Sequence, residues 1–90
     1  MMKKSVFITG CSQGGIGDAL AQEFHHLGWR VFPSVRTISK AQHLADMGME
    51  IVQLDVNDAD SVKAAVETVS AATGGKLDIL LNNAGAGKHC

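Results

Sequence analysis

Four short runs of apolar, largely β-branched residues alternate with helix-length stretches, and a cluster of glycines separates the first run from the first helix. Lys4-Ser5-Val6-Phe7-Ile8-Thr9 is continuously apolar at its centre, as a strand covered on both faces must be. After the glycines, Ile16, Leu20, Phe24 and Leu27 recur at helical spacing, and Gly28 stands where a helix C-terminus favours a residue able to take positive φ. Arg30-Val31-Phe32-Pro33-Ser34-Val35 reads as a second strand, and Ser39-Lys40-Ala41-Gln42 fits a capping box opening a short helix that stops at Gly48. Glu50 to Val56 is a third strand. Asp58 suits the N-cap of a helix with Val62, Ala65, Val66 and Val69 on one face, closed by Gly74-Gly75. Leu77-Asp78-Ile79-Leu80-Leu81 makes a fourth strand, leading into Asn82-Asn83-Ala84-Gly85.

Strand–helix alternation with short connections predicts right-handed crossovers and a parallel sheet between helical layers, an α/β, doubly wound fold. With 90 residues and neither repeat nor linker, residues 1–90 are expected to form a single, partial domain. Pro33 removes one ladder donor from an interior strand, so it is expected near that strand's end or at a bulge. In the strand order 3-2-1-4 the apolar fourth strand would be an unpaired edge, and the chain, ending soon after it, is expected to be marginal, self-associating or dependent on residues it lacks when isolated.

Composition narrows the partners. Eight Lys+Arg against nine Asp+Glu leaves no basic excess for a phosphate backbone, so nucleic acid is not expected as a partner. Two cysteines, Cys11 and Cys90, make no disulfide framework and fit a reducing, cytoplasmic setting. The Met-Met-Lys-Lys start is followed by too short an apolar run for an export signal, and no stretch is long enough for an integral membrane span.

Thr9-Gly10-Cys11-Ser12-Gln13-Gly14-Gly15-Ile16-Gly17 lies between a predicted strand and a predicted helix, the context that makes a glycine loop informative. Glycine allows a tight turn and close approach of backbone to a pyrophosphate, which the amides and dipole of the following helix then stabilise. The strict G-x-G-x-x-G spacing is absent, as is the Gly-Lys-Ser/Thr of a P-loop. A glycine turn without a ligand is the alternative.

These residues carry a resemblance. Thr-Gly-x-x-x-Gly-Ile-Gly after the first strand, Leu54-Asp55-Val56 after the third and Asn82-Asn83-Ala84-Gly85 after the fourth resemble the short-chain dehydrogenase/reductase family, in the family's order and across essentially the whole chain. The loop wording is also similar to fungal NADPH-dependent 1-acyldihydroxyacetone-phosphate reductases. One departure stands out: four residues, not three, separate Gly10 from Gly15-Ile16-Gly17, so the register within residues 10–15 stays open by one position. The resemblance implies a Rossmann-like fold, truncated after the fourth strand, that binds a nicotinamide dinucleotide through Gly10, Cys11, Ser12, Gln13, Gly15, Ile16 and Gly17. It further implies that Asp55 bonds the adenine amino group with Val56 packing nearby, and that Asn83, Ala84 and Gly85 lie under the cofactor ribose. Thr9 and Asn82 would tie neighbouring strand ends. For Asp55 a plain turn or helix-approach role is the alternative, since Asp58 and Asp60 lie close by.

The end of the second strand decides between the two cofactors. A site preferring NAD(H) places Asp or Glu there, about 20 residues beyond the glycine loop, to hold the ribose 2′-hydroxyl. Here it reads Ser34-Val35-Arg36-Thr37-Ile38, with no acid between Glu23 and Asp46. Arg36 offers a planar fork suited to a 2′-phosphate, so NADP(H) is expected over NAD(H); a solvated strand-end arginine is the alternative. The missing acid also speaks against an S-adenosylmethionine methyltransferase.

The resemblance implies hydride transfer to a carbonyl assisted by a Tyr, a Lys four residues later, a Ser and an Asn, all beyond the Asn-Asn-Ala-Gly segment. The chain contains no Tyr, so none of its residues is assigned a catalytic role and it is expected to be catalytically incomplete alone. His25, His26 and His43 read as surface or partly buried helical residues. His89-Cys90 lacks the remaining ligands of a zinc site, and no metal is expected. Cys11 reads as a small turn filler beside an anion site. Three readings follow: the coenzyme-binding part of a carbonyl reductase, a non-catalytic dinucleotide-binding module, and a fragment without retained function. The resemblance further implies homo-oligomeric full-length relatives. Its subfamily wording implies a lipid-precursor ketone and association with endoplasmic reticulum or lipid droplets.

Overall fold

The computed structural model describes residues 4–10, 15–55 and 57–81. Strand β1 (Ser5–Ile8) leads to helix α1 (Ile16–His26) and strand β2 (Arg30–Val35). A 3-10 helix (Ile38–Ala41) runs into the short helix α2 (Gln42–Asp46), followed by strand β3 (Val52–Gln53), helix α3 (Ala59–Thr73) and strand β4 (Ile79–Leu81). The strands form one parallel sheet in the order β3-β2-β1-β4. The fold is α/β with a Rossmann-like parallel sheet.

Side chains alternate between two apolar layers, as the strand period requires. Val6, Ile8, Val31 and Val35 face α1 and α2 and pack with Ala21, Ala41, Leu44 and Met49. Phe7, Phe32, Val52 and Leu54 face α3 and pack with Ala65 and Val69. The register Val6↔Val31, Phe7↔Phe32 keeps each layer in phase across β1 and β2.

Pro33 lies inside β2, fully buried, opposite Ile8. The Arg30 amide donates to Lys4 on the β1 side, whereas the carbonyls of Val31 and Val35 accept from Glu50 and Leu54 on the β3 side. By alternation Pro33 directs its missing donor toward β3, and the β2–β3 ladder begins just past it, at Ser34↔Val52. The proline therefore sits between the Glu50–Val31 and Leu54–Val35 bonds and leaves the β2–β3 ladder one donor short there. This also explains why the expected third strand, Glu50 to Val56, contracts to two residues.

Three other expectations need correction. The capping box does not form: Ser39 lies within the 3-10 helix, α2 starts from a buried Ala41 without side-chain cap, and the Gln42 amide bonds Asp46 instead. On α1 the buried face is Gly17, Asp18 and Ala21 flanked by half-buried Leu20 and Phe24, while Ile16 and Leu27 are 72% and 65% exposed. Small residues on the sheet side let the helix approach closely, which turns the larger ends outward. On α3 only Ala65 and Val69 of the proposed face are buried; Val62 and Val66 lie on an exposed flank. The caps of α3 form as read, with the Asp58 carboxylate accepting the Asp60 amide and Gly74 left-handed at φ 65°.

At the N-terminal edge of the sheet, Arg30 makes a two-pronged contact with Glu50 (2.6 and 2.8 Å) and donates to the Ala72 carbonyl at 2.8 Å. The guanidinium holds the Glu50 carboxyl below the usual carboxylate range, and the carboxylate raises Arg30 in turn. β4 is tied to the same edge by Asp78, which accepts the Ser5 amide at 2.8 Å and returns its own amide to the Ser5 carbonyl.

Candidate functional site

All four strands run parallel, so their C-terminal ends share one edge of the sheet. From β1 the chain crosses outward to β2 and β3, then returns past β1 to β4. The reversal falls between β1 and β4, and in open α/β sheets the crevice outside such a switch point is where ligands bind. Thr9 stands there: its amide donates to the Leu81 carbonyl at 3.0 Å and its hydroxyl contacts the same oxygen at 3.4 Å. The strand-tying role expected of Thr9 is thus visible in the geometry.

Gly10 follows with φ 71°, a left-handed conformation that glycine adopts without steric cost. Gly15 is the extended N-cap of α1 and supplies no side-chain cap. The helical ladder opens with the Ala19 amide donating to the Gly15 carbonyl at 3.2 Å, so it leaves the amides of Ile16 and Gly17 unused. Gly17 is buried against the sheet, and Ile16 stands exposed at the helix mouth. An anion placed here would meet backbone donors and the positive end of an 11-residue helix.

Arg36 is the first residue beyond β2 and is exposed, its carbonyl accepting from Gln53 Nε2 at 3.2 Å. Its guanidinium makes no ion pair among the described residues. Asp55 follows β3 on the same edge, where its Oδ1 accepts the Asn57 amide, its carbonyl accepts the Asp58 amide, and its own amide donates to the Ser61 hydroxyl. It therefore fills the turn role weighed above while keeping a second carboxylate oxygen. Gly10, Gly15, Ile16, Gly17, Arg36 and Asp55 are thus brought to one edge. Cys11, Ser12, Gln13, Val56, Asn82, Asn83, Ala84 and Gly85 lie outside the described residues.

Sequence reading missed one contact at this edge. Asp18, buried in the first turn of α1, accepts from His43 Nε2 of α2 at 2.7 Å and from Gln22 Nε2 at 2.9 Å. The Asp18–Gln22 spacing of four is legible on a helix; a partner 25 residues away is not. Among the described residues no group of three His, Cys, Asp or Glu side chains is placed to hold a metal ion, and no helix is long and apolar enough to cross a membrane.

Known proteins share this arrangement. The chain is 50% identical over 88 residues to the short-chain dehydrogenase PC-15 of Penicillium crustosum, covering 97% of this chain and 32% of that protein. It is 45% identical over 84 residues to the NADPH-dependent 1-acyldihydroxyacetone phosphate reductase of Schizosaccharomyces pombe, covering 93% of this chain and 28% of that one. A short-chain dehydrogenase structure from Streptomyces avermitilis superposes with TM-score 0.82 at 28% identity, over 91% of this chain and 31% of that one. The 3-ketoacyl-(acyl-carrier-protein) reductase from Brucella melitensis, complexed with NADH, gives 0.76 at 32% identity, over 86% and 32%. The chain spans about a third of the length of these relatives. The sequence model of the short chain dehydrogenase family matches residues 4–90, which takes in the glycine segment, the Asp55 turn and the stretch after β4, and the chain belongs to that family of oxidoreductases.

Proposed function

We propose that this chain is the NADP(H)-binding part of a short-chain oxidoreductase that reduces a carbonyl by hydride transfer. The observation that carries the reading is the shared edge: a positive-φ glycine, a helix N-terminus opened by glycine, an exposed arginine and an aspartate all follow the C-terminal ends of parallel strands. This donor set fits a dinucleotide. The amides of Ile16 and Gly17 would receive the diphosphate, the Arg36 guanidinium the 2′-phosphate, and the second Asp55 oxygen the adenine amino group. Cys11, Ser12 and Gln13 would complete the loop, Val56 would pack on the adenine, and Asn83, Ala84 and Gly85 would underlie the ribose. When bound, the cofactor supplies a hydride; the chain's own residues bind and orient it.

NADP(H) over NAD(H) rests on Arg36 and on the lack of any acid between Glu23 and Asp46, and one relative carries NADPH dependence in its name. The same relative supports a phosphorylated lipid-precursor ketone as the class of substrate. Titrating the whole protein with NADPH and NADH tests the cofactor reading. NADPH should bind at least tenfold more tightly, and Arg36→Ala should remove most of that difference while leaving NADH affinity nearly unchanged. Equal affinities, insensitive to Arg36→Ala, would overturn it.

A further inference from the structure

We infer that His43 is a positioning residue for cofactor discrimination, acting through Asp18 to fix the Arg36 segment against the first turn of α1. This rests on the dinucleotide reading above and adds to it a residue that makes no contact with the cofactor. The segment from Arg36 to Lys40 is exposed throughout. The helices that follow are four and five residues long, and neither has a side-chain N-cap. Helices this short do not hold themselves, so their placement comes from tertiary contacts.

Two kinds of anchor are present. Ala41 and Leu44 are fully buried in the layer that also holds Ala21, which sets the depth of α2. Apolar burial is non-directional and leaves sliding along the α1 flank uncontrolled. The Gln53 side-chain amide on the Arg36 carbonyl ties the start of the segment to β3. Between the segment and α1 the directional anchor is His43 Nε2 on Asp18 Oδ1 at 2.7 Å, with the Asp18 side chain only 9% and the His43 side chain 27% exposed. Because the acceptor is a carboxylate, Nε2 carries the proton, in the neutral Nε2–H tautomer or the imidazolium. Gln22 bonds the same Oδ1 at 2.9 Å, so the acceptor is itself held in place.

The brace joins the two parts of the site that must be spaced correctly for a 2′-phosphorylated dinucleotide. Asp18 is the third residue of α1, directly after Ile16 and Gly17 at the diphosphate end; His43 lies seven residues beyond Arg36 on the segment that meets the 2′-phosphate. Misplacing a positioning group by a fraction of a helical turn reduces binding of the ligand that uses both contacts and spares the one that uses only the first. NADPH is the former and NADH the latter.

The test measures NADPH and NADH dissociation constants on the whole protein for wild type, His43→Ala, His43→Gln, Asp18→Ala and the double variant. His43→Ala should cut the NADPH-over-NADH preference about 3- to 10-fold, chiefly by weakening NADPH, the scale of one ordinary hydrogen bond. His43→Gln, which keeps a donor at similar reach, should restore most of it. Asp18→Ala should lose at least as much as His43→Ala, since it also releases Gln22, and the double variant should be no worse than Asp18→Ala, the signature of one shared contact. A His43→Ala protein with unchanged preference, or one that weakens both cofactors equally, would overturn the inference while leaving the dinucleotide reading intact. A wild type that binds neither cofactor would sink both. Where His43→Ala fails to fold, His43→Leu removes the donor while keeping bulk, and the same outcomes apply.

Discussion

The Ser34 hydroxyl donates to the main-chain carbonyl of Ile8 at 3.0 Å, across the β1–β2 boundary and in full burial. Ser34 shares its sheet face with Phe32 and Val52, among apolar neighbours, so its oxygen depends on that carbonyl. It also lies directly after Pro33, where the sheet has one donor fewer. Ser34→Ala should therefore destabilise the protein by about 0.5–1.5 kcal/mol, read as a lower urea midpoint with unchanged m-value.

The contact between Arg30 and Glu50 joins the start of β2 to the approach to β3, and Arg30 also reaches the Ala72 carbonyl and stands 5.0 Å from the Phe32 ring. Both partners are more than a third exposed, so the ion pair itself is worth little, about 0.2–1 kcal/mol. Arg30→Ala should cost more than Glu50→Gln, because it also strips the Ala72 and Phe32 contacts. The pH dependence follows from the lowered Glu50 carboxyl. Its stabilisation is present above the ordinary carboxylate range and is lost as pH falls through the depressed value in the folded state. Wild type and Glu50→Gln should differ in thermal midpoint at pH 7 and converge toward pH 3.

Residues that read plainly in the sequence are those whose signal is local. Arg30 to Val35 forms the predicted strand end to end, Asp58 caps α3, and Gly74 closes it in the left-handed region. Family motifs at Gly10 and Asp55 follow strand ends and Gly15 to Gly17 open the helix after β1, on the edge that a parallel sheet gives to all its strand ends. The misreading of α1 has one cause: periodicity ranks residues by hydrophobicity, whereas the sheet selects by size at its closest approach. Hence Gly17 and Ala21 turn inward and Ile16 and Leu27 outward. Ser39 satisfied a capping pattern, but the burial of Ala41 sets where α2 begins. The Asp18–His43 contact is decided by how α2 seats on α1, which no local pattern encodes.

Gly10 combines a structural demand with a proposed functional one. At φ 71° a Cβ meets the steric penalty of the left-handed region, about 1–2 kcal/mol. Gly10→Ala should lower the unfolding midpoint accordingly. It should also weaken NADPH and NADH alike, since the diphosphate is common to both, which separates it from Arg36→Ala in the same titration.

The exposed end of the sheet makes the last prediction. β4 pairs only with β1 among the described residues, and Leu80 on its α3 face is 59% exposed. Leu80 borders a groove of about 170 Å³ lined by Phe7, Val66, Val69, Thr73 and Leu77, with Val66 itself 53% exposed. An apolar strand edge beside an apolar groove offers both backbone pairing and burial to a second copy of the chain. The 90-residue chain prepared alone should self-associate, and Leu80→Lys should shift it toward monomer in sedimentation velocity; at concentrations where the wild type is dissociated the two should share one thermal midpoint, because the wild-type side chain is mostly in water. A chain that sediments as a monomer at tens of micromolar and unfolds cooperatively without cofactor would show instead that this edge is inert.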